Sequence, residues 1–318
     1  MRTAFGSVYT QTSLPTRLLR AGGRGYLLPA DPDARLGFGG DARAAYLGVS
    51  SDYSEDTSSF EIPAANVYGQ LRIIPQRLSV YLDQGVGSGD SSSRELFGLL
   101  SFRKGNGYVK VGKFIPPYGW ALPDDDAFIR EPLGFAFSAP DNGIEAGFEP
   151  GKWSTQIAVI NGNAASRDDD RTKKFTLRAA RRFSRTTIGV SGANDLSGGT
   201  TTTWAGMFAS ASFGRLSLLW EEDWRRSRPD ESPSVETWAA FVEANLLIKR
   251  GMNIKYAHDW IEPNRDVATD QRQRDSLGFE YIPYPFVQLR AFVRWKDGPP
   301  QVAGARDDQV DLEIHIFF

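Results

Sequence analysis

The sequence predicts an all-β protein: a 16-stranded antiparallel up-and-down transmembrane β-barrel. Three observations predict it. Apolar and polar residues alternate with period two over segments of about ten residues. The connections between these segments are alternately short and long. And the chain ends on a strand, "VDLEIHIFF" (310–318), in which Val310, Leu312, Ile314, Ile316 and Phe318 share one face. Chain ends are usually frayed and polar. An end of this kind fits a wall in which the last strand pairs with the first.

In chain order the pattern places strands near 39–53, 60–74, 76–85, 94–103, 107–115, 141–149, 152–162 and 172–183. They continue at 185–194, 201–213, 214–226, 235–248, 252–262, 272–282, 286–296 and 307–318. Leu78, Val80 and Leu82 alternate with Arg77, Ser79, Tyr81 and Asp83. Phe175, Leu177 and Ala179 alternate with Lys174, Thr176, Arg178 and Ala180. The short connections include "IPQR" (74–77), "EPGKW" (149–153) and "FGRL" (213–216). The long ones include "VGSGDSSS" (86–93), "NAASRDDDR" (163–171) and "LSGGTT" (196–201). A sheet of this size built from hairpins removes its edges by closing on itself, and closure satisfies every backbone group without water. Apolar side chains then face lipid and the alternating polar ones face the lumen. Trp204, Trp220, Trp224, Trp238, Trp260, Trp295 and Phe318 lie near strand ends, as interfacial girdles would. No blade-length repeat supports a propeller.

Composition narrows the function classes. Lys and Arg number 37 against 39 Asp and Glu, so no basic excess points to a nucleic-acid partner. Cysteine is absent, which excludes disulfides, thiolate metal sites and covalent haem attachment. Only His258 and His315 offer imidazole, so no metal centre and no cofactor is expected. No segment approaches the roughly 18 apolar residues of a transmembrane helix. The first residues, "MRTAFGSVYTQTS", lack a basic-then-apolar leader, so an exported chain is expected here in mature form. No G-x-S-x-G or comparable nucleophile motif appears, and an enzyme is not expected.

The terminal "LEIHIFF" resembles the assembly signal of bacterial outer-membrane barrels, with Leu312, Ile314, Ile316 and Phe318 as its residues. Together with the strand count it makes residues 39–318 similar to porins. That resemblance implies the outer membrane of a Gram-negative bacterium, with short periplasmic turns and long extracellular loops. The implied partners are the lipid bilayer, the barrel-assembly machinery, small solutes or ions, and a homotrimer.

The longest connection, "IPPYGWALPDDDAFIREPLGFAFSAP" (115–140), follows the fifth strand. In general porins that loop folds into the barrel and narrows the pore. The resemblance makes Asp124, Asp125, Asp126, Arg130 and Glu131 the candidate constriction, and the apolar flanks "IPPYGW" and "PLGFAF" suit packing on the inner wall. The three Asp could alternatively solvate a loop tip, or offer hard oxygen ligands to calcium. The strand register places Arg72, Asp83, Lys110, Arg178, Arg182, Glu243, Lys255, Asp259, Glu280, Arg290 and Arg294 in the lumen, with Asp311 and Glu313 opposing the cations. Such mixed charge implies weak ion selectivity.

Residues 1–38, rich in Gly, Pro and Arg, do not fit the barrel and are expected to form an N-terminal extension or plug. Two functions follow. The first is a passive outer-membrane channel for small hydrophilic solutes or ions. The second is a structural sheath around a multihaem cytochrome in a transmembrane electron-transfer conduit: "GKFIPPYGWALPDDDAFIREPLGF" (112–135) loosely resembles such barrels, and the basic, partly apolar N-terminal segment and mixed-charge lumen would suit a protein cargo.

Overall fold

The computed structural model of the protein describes residues 35–53, 55–87, 93–102, 106–122, 124, 126–164 and 171–317. They form sixteen strands: β1 (Leu36–Ser51), β2 (Thr57–Ile74), β3 (Leu78–Gly85), β4 (Ser93–Phe102), β5 (Gly107–Phe114), β6 (Asp141–Phe148), β7 (Trp153–Ile160) and β8 (Lys174–Arg182). Then follow β9 (Thr186–Ser197), β10 (Thr200–Phe213), β11 (Leu216–Pro229), β12 (Val235–Lys249), β13 (Met252–Glu262), β14 (Arg272–Tyr284), β15 (Val287–Asp297) and β16 (Asp307–Phe317). Every strand pairs antiparallel with its sequence neighbours, and β1 pairs with β16 from Asp41↔Phe317 to Ser51↔Asp307, which closes the barrel.

The alternation read from the sequence is the alternation of the wall. On β16, Val310, Leu312, Ile314 and Ile316 are exposed, whereas Glu313, His315 and Phe317 are buried. On β3, Ser79, Tyr81, Asp83 and Gly85 are buried and the residues between them are not. Exposed aliphatics such as Leu71, Ile73, Leu96, Val111, Ile144, Val159, Ile188 and Val190 continue the outward face around the barrel. An outward apolar band with polar groups turned inward is the arrangement a bilayer requires.

Four expectations are corrected. β1 begins at Leu36, so the last three residues assigned to the N-terminal extension belong to the wall; residues 1–34 lie outside the described residues. The connection 196–201 is not a long loop. β9 and β10 run to Ser197 and from Thr200, leaving only Gly198 and Gly199 between them, both with φ in the left-handed region (55° and 72°) that a two-residue hairpin turn demands. Strand β2 begins at Thr57, and its pairing with β1 slips between Arg43 and Ala45, opposite Pro63, where a proline is tolerated because the ladder is interrupted. Finally, Trp204 is buried on the inner face and is no part of an outer girdle. Phe318 lies outside the described residues.

Candidate functional site: the loop inside the barrel

The chain between β5 and β6 folds back into the barrel and lies on the inner faces of β8 to β14. Its sequence explains the path. "IPPYGW" and "PLGFAF" supply aromatic and aliphatic groups that must leave water, and among the described residues its regular structure is one 3-10 turn, Glu131–Leu133. Tyr118, Leu122, Ala127, Ile129, Leu133 and Phe135 form one buried cluster with wall residues Ala193, Trp204, Ala239, Phe241 and Ile261. Tyr118 stacks on Phe135 at 3.9 Å between ring centroids, and Phe135 meets the edge of Trp204 at 5.7 Å. The wall turns apolar inward where the loop covers it.

Polar groups fix the loop's position on this cluster. Glu221 on β11 is the centre: its Oε2 accepts from the Trp120 amide at 2.7 Å and from Arg130 Nη2 at 2.6 Å, with both charged side chains at most 1% exposed. The Gly119 amide donates to Ser191 Oγ at 2.8 Å, and Arg178 Nε donates to the Gly119 carbonyl at 2.7 Å. Gly119 has φ +46°, and a Cβ there would lie 1.7 Å from Glu221 Oε1, so only glycine brings the backbone this close. Trp204 Nε1 donates to the Leu133 carbonyl (2.8 Å) and Arg225 Nη1 to the Pro132 carbonyl (2.7 Å). Further along the wall, the Phe128 amide donates to Asp259 Oδ1 at 3.2 Å. Arg274 bridges Asp259 (2.8 Å) and Asp124 (3.0 Å).

Two loop groups have displaced ionisation. The Asp124 carboxyl is destabilised by partial burial, but Arg274 foremost, with Arg294 and Arg290, outweighs that and holds it below its usual value. The Tyr118 phenol is pushed up by burial and by Asp223, whose Oδ1 accepts its proton at 3.0 Å, so it stays a neutral donor.

The expected constriction residues thus separate. Asp124 is tied to the wall through Arg274, with its side chain 40% exposed. Asp126 is exposed. Arg130, expected among the constriction charges, is instead a buried tether paired with Glu221, because a guanidinium surrounded by the apolar cluster must have a carboxylate there. Asp125 and the Glu131 side chain lie outside the described residues.

The other charges share the strand faces that carry buried polar groups. Lys110 pairs with Glu145 at 3.2 Å. Lys255 lies 3.4 Å from Glu280 and 4.0 Å from Glu243. Arg290 joins Glu280 (3.4 Å) to Glu313 (2.9 Å), and Arg294 meets Asp311 at 3.4 Å. Arg94 lies 3.7 Å from Asp83. Arg72 donates to Gln70 at 3.2 Å. Arg182 sits at the exposed, short-turn end of β8. Sequence reasoning missed Glu221, Arg274 and Arg225. Glu221 falls in the acidic run Glu221–Glu222–Asp223, and Arg274 between Gln273 and Asp275, so polarity contrast could not assign them a face.

No family model matches the chain, and no curated protein matches it in sequence. Solved structures do. In-vitro folded OmpT of Vibrio cholerae, an outer-membrane protein described in a trimer form, superposes with a TM-score of 0.70 at 10% identity, over 89% of this chain and 99% of that one. The anion-selective porin of Comamonas acidovorans gives 0.68 at 13% identity, over 89% and 99%. OmpF of Salmonella typhi, in complex with daunomycin, gives 0.65 at 12% identity, over 89% and 97%. At these identities the likeness is one of fold, and this chain has the fold of the outer-membrane porins.

Proposed function

We propose that the protein is an outer-membrane channel of a Gram-negative bacterium, passing small hydrophilic solutes or ions without chemistry of its own. One observation carries the reading: the 115–140 loop is seated inside the barrel against β8–β14, so the remaining lumen is bounded by the loop on one side and by the charged inner faces of β15, β16, β1 and β2 on the other. Asp124 and Asp126 belong to the loop's side of that passage, and Arg290 and Arg294 to the facing wall. Ion pairs neutralise most of these charges, which favours weak selectivity. Assembly as a homotrimer belongs to the same proposal, after the trimer form of one structural neighbour. The cytochrome-sheath reading gains no support: the structural neighbours are porins, and the loop lies inside the barrel against β8–β14.

Unitary conductance and reversal potential in a planar bilayer test the channel. Replacing Asp124, Asp125 and Asp126 with Asn should reduce cation preference, and deleting residues 120–136 should raise conductance. A purified barrel that conducts nothing before or after that deletion would refute the proposal.

A further inference from the structure

The outward faces of β13 and β14 carry apolar residues such as Ile254, Leu277 and Phe279, but a polar cluster interrupts them. That cluster is Tyr256, His258 and Asp275. The Tyr256 hydroxyl donates to Asp275 Oδ1 at 2.6 Å, and His258 Nδ1 lies 3.0 Å from the same oxygen. His258 and Asp275 are direct cross-strand neighbours, and Asp275 is in turn opposite Trp295. The two side chains are 38% and 39% exposed on the outer face of the wall, beside Trp260 and Trp295. An ionisable pair turned outward in a membrane strand costs insertion energy and marks a functional site by default. The internal bonds occupy one nitrogen of His258 and one oxygen of Asp275. Among the described residues no hydrogen bond involves His258 Nε2 or Asp275 Oδ2, so each side chain of this outward-facing pair has one polar atom left over.

We propose that this face docks a second copy of the chain about a two-fold axis along the membrane normal. Rotation about that axis sets β13 of one protomer against β14 of its partner at the same height. Because His258 and Asp275 lie at one level of the ladder, each imidazole then meets the other protomer's carboxylate, and the contact closes on itself. His258 Nδ1 faces its own Asp275 and Nε2 its partner's, so the four side chains form one closed polar ring. Trp260 and Trp295 supply an apolar rim around it. The contact builds pairs, so it would join one trimer to the next and is independent of the channel reading.

The absence of cysteine makes the test clean. Leu277→Cys places one thiol on the outward face of β14 beside the pair, and Val190→Cys places one on the outward face of β9 as a control. In outer membranes treated with a short bismaleimide, Leu277→Cys should yield a denaturation-resistant dimer several-fold above Val190→Cys. Adding His258→Leu and Asp275→Leu should lower that yield to the control level. These apolar replacements suit a lipid-facing site, so the heat-modifiable folded barrel should remain at full level. Exchange of the two residues (His258→Asp with Asp275→His) should restore the dimer. Equal yields at the two thiols, or a yield indifferent to the leucine pair, would overturn the proposal. So would a leucine pair that changes only the lipopolysaccharide retained on purification, which would assign the face to a glycolipid.

Discussion

Two parts of the inner wall are unlike. From β8 to β14 it is a protein core: Trp204, Ala239, Phe241 and Ile261 point inward beneath the loop, and the ion pairs Arg130–Glu221 and Arg274–Asp259 are almost fully buried. From β15 through β16 to β1 it is a lattice of charges with some access to solvent. Arg290 is 22% exposed, Arg294 12% and Arg43 18%. The same period-two backbone builds both, so the difference lies in what covers them. A loop that brings its own aromatics turns one part into a dry interior and the charged part it leaves bare keeps some water, while β3 to β7 carry a separate buried cluster around Phe97 and Phe114.

Perturbing the two parts should therefore give opposite kinds of effect. The largest is expected at the buried pair. Glu221→Ala strands the Arg130 guanidinium in an apolar setting, a loss of about 3–5 kcal/mol in comparable buried pairs. The loop should become sensitive to protease in the folded barrel, and channel noise should rise. Gly119→Ala should act in the same direction but less, at about 1–3 kcal/mol, since its Cβ would collide with the Glu221 carboxylate in a left-handed conformation; loop proteolysis again reads it. Arg294→Gln on the other wall should leave heat-modifiability within about 1 kcal/mol of the parent, because partly solvated pairs contribute little. It should instead shift the reversal potential towards cations. A protease-sensitive loop in Arg294→Gln would break the contrast. The smallest effect is expected from acid. Asp124 is held below its ordinary value by Arg274, so its tie is fully present above the ordinary aspartate range and is lost only as pH falls through the lowered one. The part of the conductance that depends on Asp124 should hold as pH descends to the ordinary aspartate range and change beneath it, and Asp124→Asn should abolish that part of the pH response.

The contrast also explains what the sequence could and could not reveal. Where lipid is on one side and water on the other, as at Asp311-Leu312-Glu313-Ile314, alternation is sharp and strand, register and facing are all legible. Where the loop covers the wall, both faces are apolar. "WAAFV" (238–242) has no contrast to read, and Trp204 reads as a girdle residue because its inward contact is made by residues about seventy positions away. The strand ends Leu196–Ser197 and Thr200 read as loop for the converse reason, since small polar residues beside two glycines suit a strand rim and a loop equally. That the long connection enters the barrel was legible from its apolar flanks together with the porin resemblance. Which of its charges are tethers was not, because Arg130 and Asp124 are distinguished only by partners on distant strands.

The seam between β1 and β16 has a temporal consequence. Asp41 on the first strand accepts from the Tyr68 hydroxyl and lies 3.2 Å from His315 Nε2 on the last. Every other wall contact joins neighbours in sequence and can form as the chain emerges, at a loop-closure cost that grows only slowly with length. The seam alone requires the two ends of the polypeptide to meet. Until β16 arrives, β1 is an open edge with a full row of unpaired amides and carbonyls, a template for pairing with any passing strand. The final strand therefore ends the period of greatest aggregation risk.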